Sequence, residues 1–395
     1  MPHETESSKM RLSSKGGLPQ PSVIDLFAGV GGLSLGAARA GFTVALAVEL
    51  DKDAVAAHRT NFPQVKHLAQ DIRNLDGERL LLQAGLDRGE LDGLIGGPPC
   101  QGFSIIGHRC VADPRNNLFH KFFQLVLECQ PKFFVAENVL GILDKQYSAI
   151  RDEALALVAN KYVLLEPMRI KASDFGAPTS RERAFFVGYL ASSLNAITPS
   201  DFEALRTKEG VTVRRALVGL PSRIRSNWLM PEQGLREVGP MPESQFSDRI
   251  NNGIPQGIGD AASIKQFKEE GIVSGCLGTR HSPKVQARYQ HLKPGEQDKI
   301  SKAVRLKLDG LCPTLRAGTA ADKGSYQAVR PIHPTAARVI TPREAARLQG
   351  FPDWFQFAPS KWHSFRQIGN SVSPFVAEAV LTVLYSKLVA NPSHK

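Results

Sequence analysis

Short apolar runs alternate with longer stretches of helical spacing through the first half of the chain. Ser22 to Phe27, Thr43 to Val48, Leu91 to Ile95 and Phe133 to Ala136 are too short for helices and read as strands buried in a sheet. Between them, Leu33 to Ala40, the segment after Asp51, and Leu118, Phe122, Leu125, Val126 and Cys129 recur at helical spacing. A third, weaker strand precedes Asp71, and Tyr162 to Ile170 and Ala184 to Leu190 read as further strands. This alternation predicts an α/β fold with a doubly wound, largely parallel sheet.

From about Ala191 to Phe357 the alternation fades, and Gly, Pro, Arg and Lys become frequent. A smaller, irregular second domain is the simplest expectation. Within it, Arg343 to Leu348 is a short helix with Thr341 as its cap and Pro342 at its first position. Gly369 to Pro374 then opens a last helix through Leu388, whose apolar face (Val376, Val380, Leu384, Leu388) requires a host. The first domain is that host, so residues 21–190 and 358–395 form one unit and 191–357 the other. Residues 1–20 are polar, carry no apolar core of a signal peptide, and are expected to be a disordered tail.

Composition adds a partner class. Lys and Arg number 49 against 38 Asp and Glu, a formal charge of +11, which suits a polyanion such as nucleic acid. The five cysteines include no Cys-x-x-Cys pair, which argues against a disulfide framework or a zinc site and for a reducing cytosol. No apolar run is expected to span a bilayer. A cytoplasmic protein without a metal is the expectation.

The chemistry gathers at predicted strand ends, where open α/β sheets bind ligands. The first strand runs into Ala28-Gly29-Val30-Gly31-Gly32, a turn that lets backbone amides meet a ligand at a helix N-terminus. Glu49 ends the second strand, placed to accept ribose hydroxyls, and Asp71 follows the third, placed to hold an adenine amino group. An adenosine-bearing cofactor follows; the glycine order fits a nicotinamide fingerprint poorly. His58 reads as a surface helix residue.

Gly96-Gly97-Pro98-Pro99-Cys100-Gln101-Gly102-Phe103-Ser104 ends the Leu91–Ile95 strand and presents Cys100, read either as a thiolate nucleophile or as a buried turn cysteine. A basic loop with His108, Arg109 and Arg115 follows. Glu137 closes the next strand at the same sheet edge; burial raises a carboxyl pKa, making it a candidate proton donor. Arg181 and Arg183 enter a strand two residues apart and point to one face, able to clamp an anion or a base edge. Arg280 to His291 interleaves basic groups, amides and an aromatic, the side chains that contact phosphates and base edges.

Taken in order, these residues resemble the DNA cytosine-C5 methyltransferase family over nearly the whole chain after the tail. Asp25-Leu26-Phe27-Ala28-Gly29-Val30-Gly31-Gly32 resembles its cofactor loop, Pro98-Pro99-Cys100-Gln101 its nucleophile motif, Glu137-Asn138-Val139 its acid motif and Arg181-Glu182-Arg183 its arginine motif. Arg343 to Pro352 and Gly369-Asn370-Ser371-Val372 resemble its two closing motifs, and Thr314-Leu315 a short signature of its recognition domain. The resemblance implies a Rossmann-like catalytic domain using S-adenosylmethionine, beside a target-recognition domain.

By the same resemblance, Cys100, Glu137, Arg181 and Arg183 are catalytic. Phe27, Gly29, Gly31, Glu49, Asp71, Pro99, Asn370 and Val372 surround the cofactor. Gln101, Ser104, Arg115, Arg280, Lys284, Arg288 and Thr314 are the candidate DNA contacts. The implied partner is double-stranded DNA, met by a monomer, with a cognate restriction endonuclease linked by function rather than stable contact. Thr179 stands where the family usually has Gln, which leaves the amide's contacts near the base open. A tRNA cytosine-5 methyltransferase is the alternative enzyme, although the Cys-Phe-Thr tripeptide of that branch is absent. A non-catalytic DNA-binding regulator is the alternative of another class.

Overall fold

The computed structural model describes residues 20–99, 117–225, 228–317 and 330–391. Cys100, Gln101, Ser104 and Arg115, and the tail up to residue 19, lie outside the described residues.

The alternation holds: β1 (Ser22–Leu26), α1 (Gly32–Ala40), β2 (Thr43–Val48), α2 (Lys52–Asn61), β3 (Lys66–Leu68), α3 (Gly77–Ala84), β4 (Gly93–Gly96), α4 (Asn117–Cys129), β5 (Phe133–Asn138) and α5 (Ser148–Ala159) follow in turn. The strand expected from Tyr162 to Ile170 is two, β6 (Val163–Leu164) and β7 (Met168–Lys171), with β8 (Glu182–Tyr189) after them. Pro167 lies in the break, where a residue without an N–H cannot continue the ladder. β4 begins two residues later than expected. Asp92 accepts from the Ser22 N–H and from Lys132 Nζ, each at 2.7 Å, instead of lying in the strand.

The strands form an eight-stranded sheet of order β3-β2-β1-β4-β5-β8-β6, with β7 also paired to β8. β3 through β5 are parallel, and β8 runs antiparallel to β5, β6 and β7. β1 lies between β2 and β4, so the chain leaves it in one direction and returns on its other side. That reversal opens a crevice beyond the carboxyl ends of the central strands.

Period-two alternation fills both faces. Val23, Phe133, Val135 and Phe185 join the core on one face, and Ile24, Phe134, Ala136 and Phe186 join the core on the other. The second face is covered by α3, α4 and α5, where the thiol of buried Cys129 is pushed up to about 12 by burial. The first is covered by α1 and by the C-terminal helix α13 (Pro374–Val389).

The segment after β8 is irregular: α6 (Pro199–Glu203), α7 (Val213–Leu217), β9 (Arg236–Glu237), α8 (Gln245–Asn251), α9 (Ala261–Glu270), β10 (Ile272–Val273) and α10 (Pro283–His291), with β9 and β10 forming a two-stranded ribbon. Its apolar residues, among them Phe202, Phe246, Ile250 and Leu306, join the core of the α1 face.

α11 (Pro342–Gln349) matches its expected cap. Thr341 and Glu344 form a reciprocal capping box, and Pro342 takes the first turn. Its charged residues are buried and hydrogen-bonded, Arg343 to the carbonyls of Ser274, Pro352 and Phe355. Arg347 forks onto Asp353 at 2.8 and 2.6 Å, and Glu344 is paired with Arg338 at 2.7 Å.

α12 (Lys361–Asn370) and α13 (Pro374–Val389) end the described chain. Together, Lys361–Val389 is long and apolar enough to cross a membrane, contrary to the sequence expectation. It is nonetheless two helices broken at 371–373, and two thirds of its apolar window is buried inside the protein. α13 packs along α1, where Gly36 lies so close to Ala377 that a Cβ would overlap it.

Candidate active site

A cavity of about 640 Å³ opens beyond the strand ends, between β1, β2, β4 and β5 on one side and α12 with the turn after it on the other. The glycine loop forms its floor. Phe27 is held at φ 59°, a left-handed conformation that is uncommon outside glycine. Around the Cβ position of Gly29 no atom lies within 4 Å, so the wall there is open to the cavity. Gly31 turns at φ 102° against the rings of Phe62 and His58, which would collide with a side chain. Gly32 meets Ser371 and Val372 equally closely, so this loop and the C-terminal turn share one wall.

Glu49 ties that floor to β2. Its Oε2 accepts from the Gly29 N–H at 2.9 Å, and its Oε1 accepts from the Leu50 and Asp51 N–H groups, each at 2.8 Å. Burial pushes its pKa above the ordinary glutamate value despite these donors. Asp71 caps the turn after β3, and Arg73 holds its carboxylate below the ordinary range with a fork at 3.0–3.1 Å, so this acceptor is already partly engaged. Asn370 and Val372 line the cavity as expected, as does Pro99. Sequence reasoning missed Leu50, which with Ile72 beside Asp71 presents apolar surface to the cavity. It also missed Arg366, which closes the rim through an ion pair with Asp51 at 2.6 Å. The strand-tip position of Leu50, next to Glu49, is the signal that could have found it.

At the other end lies Glu137, 7% exposed at the tip of β5. Arg183 Nε lies 2.9 Å from its Oε1, an ion pair at hydrogen-bonding distance. Burial raises the Glu137 pKa more than Arg183 and Arg181 lower it. β4 and β5 are parallel with Gly96 opposite Ala136, and the Glu137 carboxylate reaches over Gly97. Asn138 Nδ2 donates to the Pro98 carbonyl at 3.3 Å, fastening the strand tip to the Pro-Pro segment that leads directly to Cys100.

Arg181 and Arg183 divide their contacts instead of sharing one clamp. Arg181 is buried and donates to the carbonyls of Leu315 at 3.3 Å and Gly369 at 3.1 Å, joining three distant segments of chain. Thr179 completes this seam: its hydroxyl donates to the Cys312 carbonyl at 3.0 Å, and the two residues form a parallel bridge. Thr314 and Leu315 are thereby held beside the arginines.

Among the candidate DNA contacts, Arg280 and Lys284 are exposed, and Lys284 lies in the first turn of α10. Arg288 is partly engaged within the protein: its Nε donates at 2.6 Å to Asp298, a carboxylate 1% exposed that also accepts from Ser301. His58 is a correction. It is 1% exposed, and burial holds its pKa well below the ordinary histidine value. Its Nε2 lies 3.0 Å from Ser34 Oγ and its Nδ1 2.8 Å from His67 Nε2. Ser34 in turn donates to Asp25 at 2.6 Å, so a buried polar chain runs beneath the cofactor loop. Burial lifts the Asp25 carboxyl to about 7.

The strand order, the crevice at its switch point and the acids at the ends of β2, β3 and β5 define a Rossmann-like α/β protein with a ligand site beyond its strand ends. Within that class, the profile of the C-5 cytosine-specific DNA methylase family matches residues 22–386, and the chain belongs to that family. It is a DNA (cytosine-5-)-methyltransferase. It is 36% identical over 365 residues to the Type II methyltransferase M.XorII of Xanthomonas oryzae pv. oryzae, covering 92% of this chain and 84% of that one. It is 31% identical to the Type II methyltransferase M.DdeI of Desulfomicrobium norvegicum, covering 91% and 87%. A solved structure described as a DNA modification methyltransferase encoded within a prophage (E. coli) superposes with a TM-score of 0.84 at 49% identity, covering 93% of this chain and 99% of that one.

Proposed function

We propose that the chain transfers a methyl group from S-adenosylmethionine to C5 of a cytosine flipped out of double-stranded DNA. The reaction occurs within a short specific sequence and passes through a covalent bond between Cys100 and C6 of the base. The observation that carries this reading is Glu137: a buried carboxyl with a raised pKa, 2.9 Å from Arg183, beside the strand that leads through Pro98 and Pro99 to Cys100.

The residues present fit the methyl donor. Glu49, just past the tip of β2, retains acceptor capacity on Oε2 for a ribose hydroxyl, and Leu50 and Ile72 offer apolar faces to a flat base. When bound, S-adenosylmethionine supplies an electrophilic methyl group on a sulfonium.

In the proposed sequence the Cys100 thiolate adds to C6. Electron density moves toward N3, and Glu137, in its protonated form, donates a proton there, giving an enamine nucleophilic at C5. Arg183 holds the resulting carboxylate. Once C5 is methylated, a base removes H5; that electron pair restores the ring double bond and expels the thiolate, and the N3 proton returns to Glu137. None of this fits a stacked base, so flipping is required, at a cost of a few kcal/mol.

Similarity to Type II methyltransferases favours a functional link to a restriction endonuclease over the alternative of a solitary methylase; a cytoplasmic monomer acting on the nucleoid is part of the same proposal. Cys100→Ser is expected to abolish incorporation of labelled methyl groups into duplex DNA while retaining S-adenosylmethionine binding. Undiminished incorporation by that variant, or labelling of tRNA in place of duplex DNA, would contradict the proposal.

A further inference from the structure

A second concave site, of about 290 Å³, lies between the loop at residues 222–225 and the loop at 278–281 that leads into α10. Its walls meet where Gly278 abuts Ile224 so closely that any side chain would overlap, and the Gly278 N–H donates to the Trp228 carbonyl at 2.8 Å.

Both walls are tied to the α11–α12 pair. Arg338, paired with Glu344 of α11, donates to the Ser222 carbonyl at 3.0 Å. The Val339 N–H donates to His281 at 3.3 Å, and Lys361, in the first turn of α12, donates to the Gly278 carbonyl. The other end of α12, Gly369 and Asn370, lines the cofactor cavity, about 15 Å away at the rise of an α-helix. A sequence reader must sit at a fixed offset from the reacting base, and this mounting supplies one.

The charge of the cleft is specific. Arg338 is neutralised by Glu344, and burial keeps His281 below its ordinary pKa. Arg223, Arg225 and Arg280 are exposed, and their guanidinium groups make no hydrogen bond or ion pair among the described residues. Among the described residues no Asp or Glu lines the cleft, so the carboxylate that pairs best with a cytosine amino group is missing there and the charged groups are donors. Free guanidinium forks without carboxylates match the paired acceptors O6 and N7 of guanine.

On the reading that the chain methylates duplex DNA, we propose that this cleft takes guanine edges of the recognised sequence, with Arg225 and Arg280 as the readers. The test is enrichment of bound duplexes from a randomised library by the full chain, alongside binding measured across a salt series. Wild type is expected to select guanine at fixed positions. Arg225→Ala and Arg280→Ala are each expected to weaken that preference roughly 5- to 150-fold at one position. Arg280→Lys, which retains charge but not the fork, is expected to lose the preference while keeping the wild-type salt slope.

Uniform weakening over all sequences in the alanine variants, with the salt slope reduced by about one, would mark a phosphate grip and overturn the assignment. Unchanged selection in both alanine variants would overturn it equally. Because binding is read without catalysis, guanine-dependent selection by a protein that methylates no DNA would support the cleft and contradict the proposed function instead.

Discussion

Two buried carboxyls carry opposite tasks at the residue scale. In the proposed mechanism Glu137 must be protonated to donate to N3, and its raised pKa keeps that form populated to higher pH than an ordinary glutamate allows. Glu137→Gln is therefore expected to lower the rate of methyl transfer about 10²- to 10⁴-fold. It is also expected to remove the decline that the wild-type single-turnover rate shows as pH rises through the folded pKa of this group; a Gln variant that keeps this limb assigns it elsewhere. Asp25 acts on stability. Its carboxyl rises from 3.8 to about 7 on burial, so the fold favours its protonated form. The associated stability is complete below the unfolded value and is lost as pH climbs through about 7, by roughly 4 kcal/mol in all. In Asp25→Asn, unfolding by urea is expected to show a flatter pH profile between about 4 and 7 than wild type; parallel profiles would exclude Asp25 as its source. This residue was legible as part of a cofactor loop, but its chain through Ser34 to His58 was not. His58 sits on a helix of mixed polarity, and only the crossing of α2 over Gly31 buries it.

At the scale of elements, close approach of small residues joins the two ends of the chain. Gly32 faces Ser371 and Val372, and one turn later Gly36 faces Ala377. Gly36→Val is expected to cost about 1–3 kcal/mol by overpacking, seen as a lower denaturation midpoint, because the obstacle is backbone and a short side chain with nowhere to move. A midpoint equal to wild type would show that α13 can shift without loss. The strands, most helices and the cap of α11 were readable because each follows from spacing within one segment. Pro167 could have been recognised as a strand break from its missing donor. The division of labour between Arg181 and Arg183 could not, because the Leu315 and Gly369 carbonyls that engage Arg181 arrive from 134 and 188 residues away.

For the whole molecule, the sheet supplies one edge at which an acid, an arginine and the approach to Cys100 converge, and the C-terminal helices complete the far wall of the same cavity. The irregular segment shares its core with the α1 face, so the loops around the arginine cleft are mounted on the body that holds the cavity. Composition gave the sign of the partner, through a charge of +11, but not the place of contact. Arg288 illustrates the gap: in sequence it belongs to a basic cluster, and in space it serves Asp298. The central claim is a covalent bond from Cys100 to the target base. The most direct measurement incubates the protein with duplexes containing 5-fluorocytosine at the target position, together with S-adenosylmethionine, so that the absent H5 blocks elimination. A denaturant-stable adduct mapped to Cys100, and lost in Cys100→Ser, is the predicted result. A protein that methylates ordinary duplexes yet never forms this adduct would contradict the account.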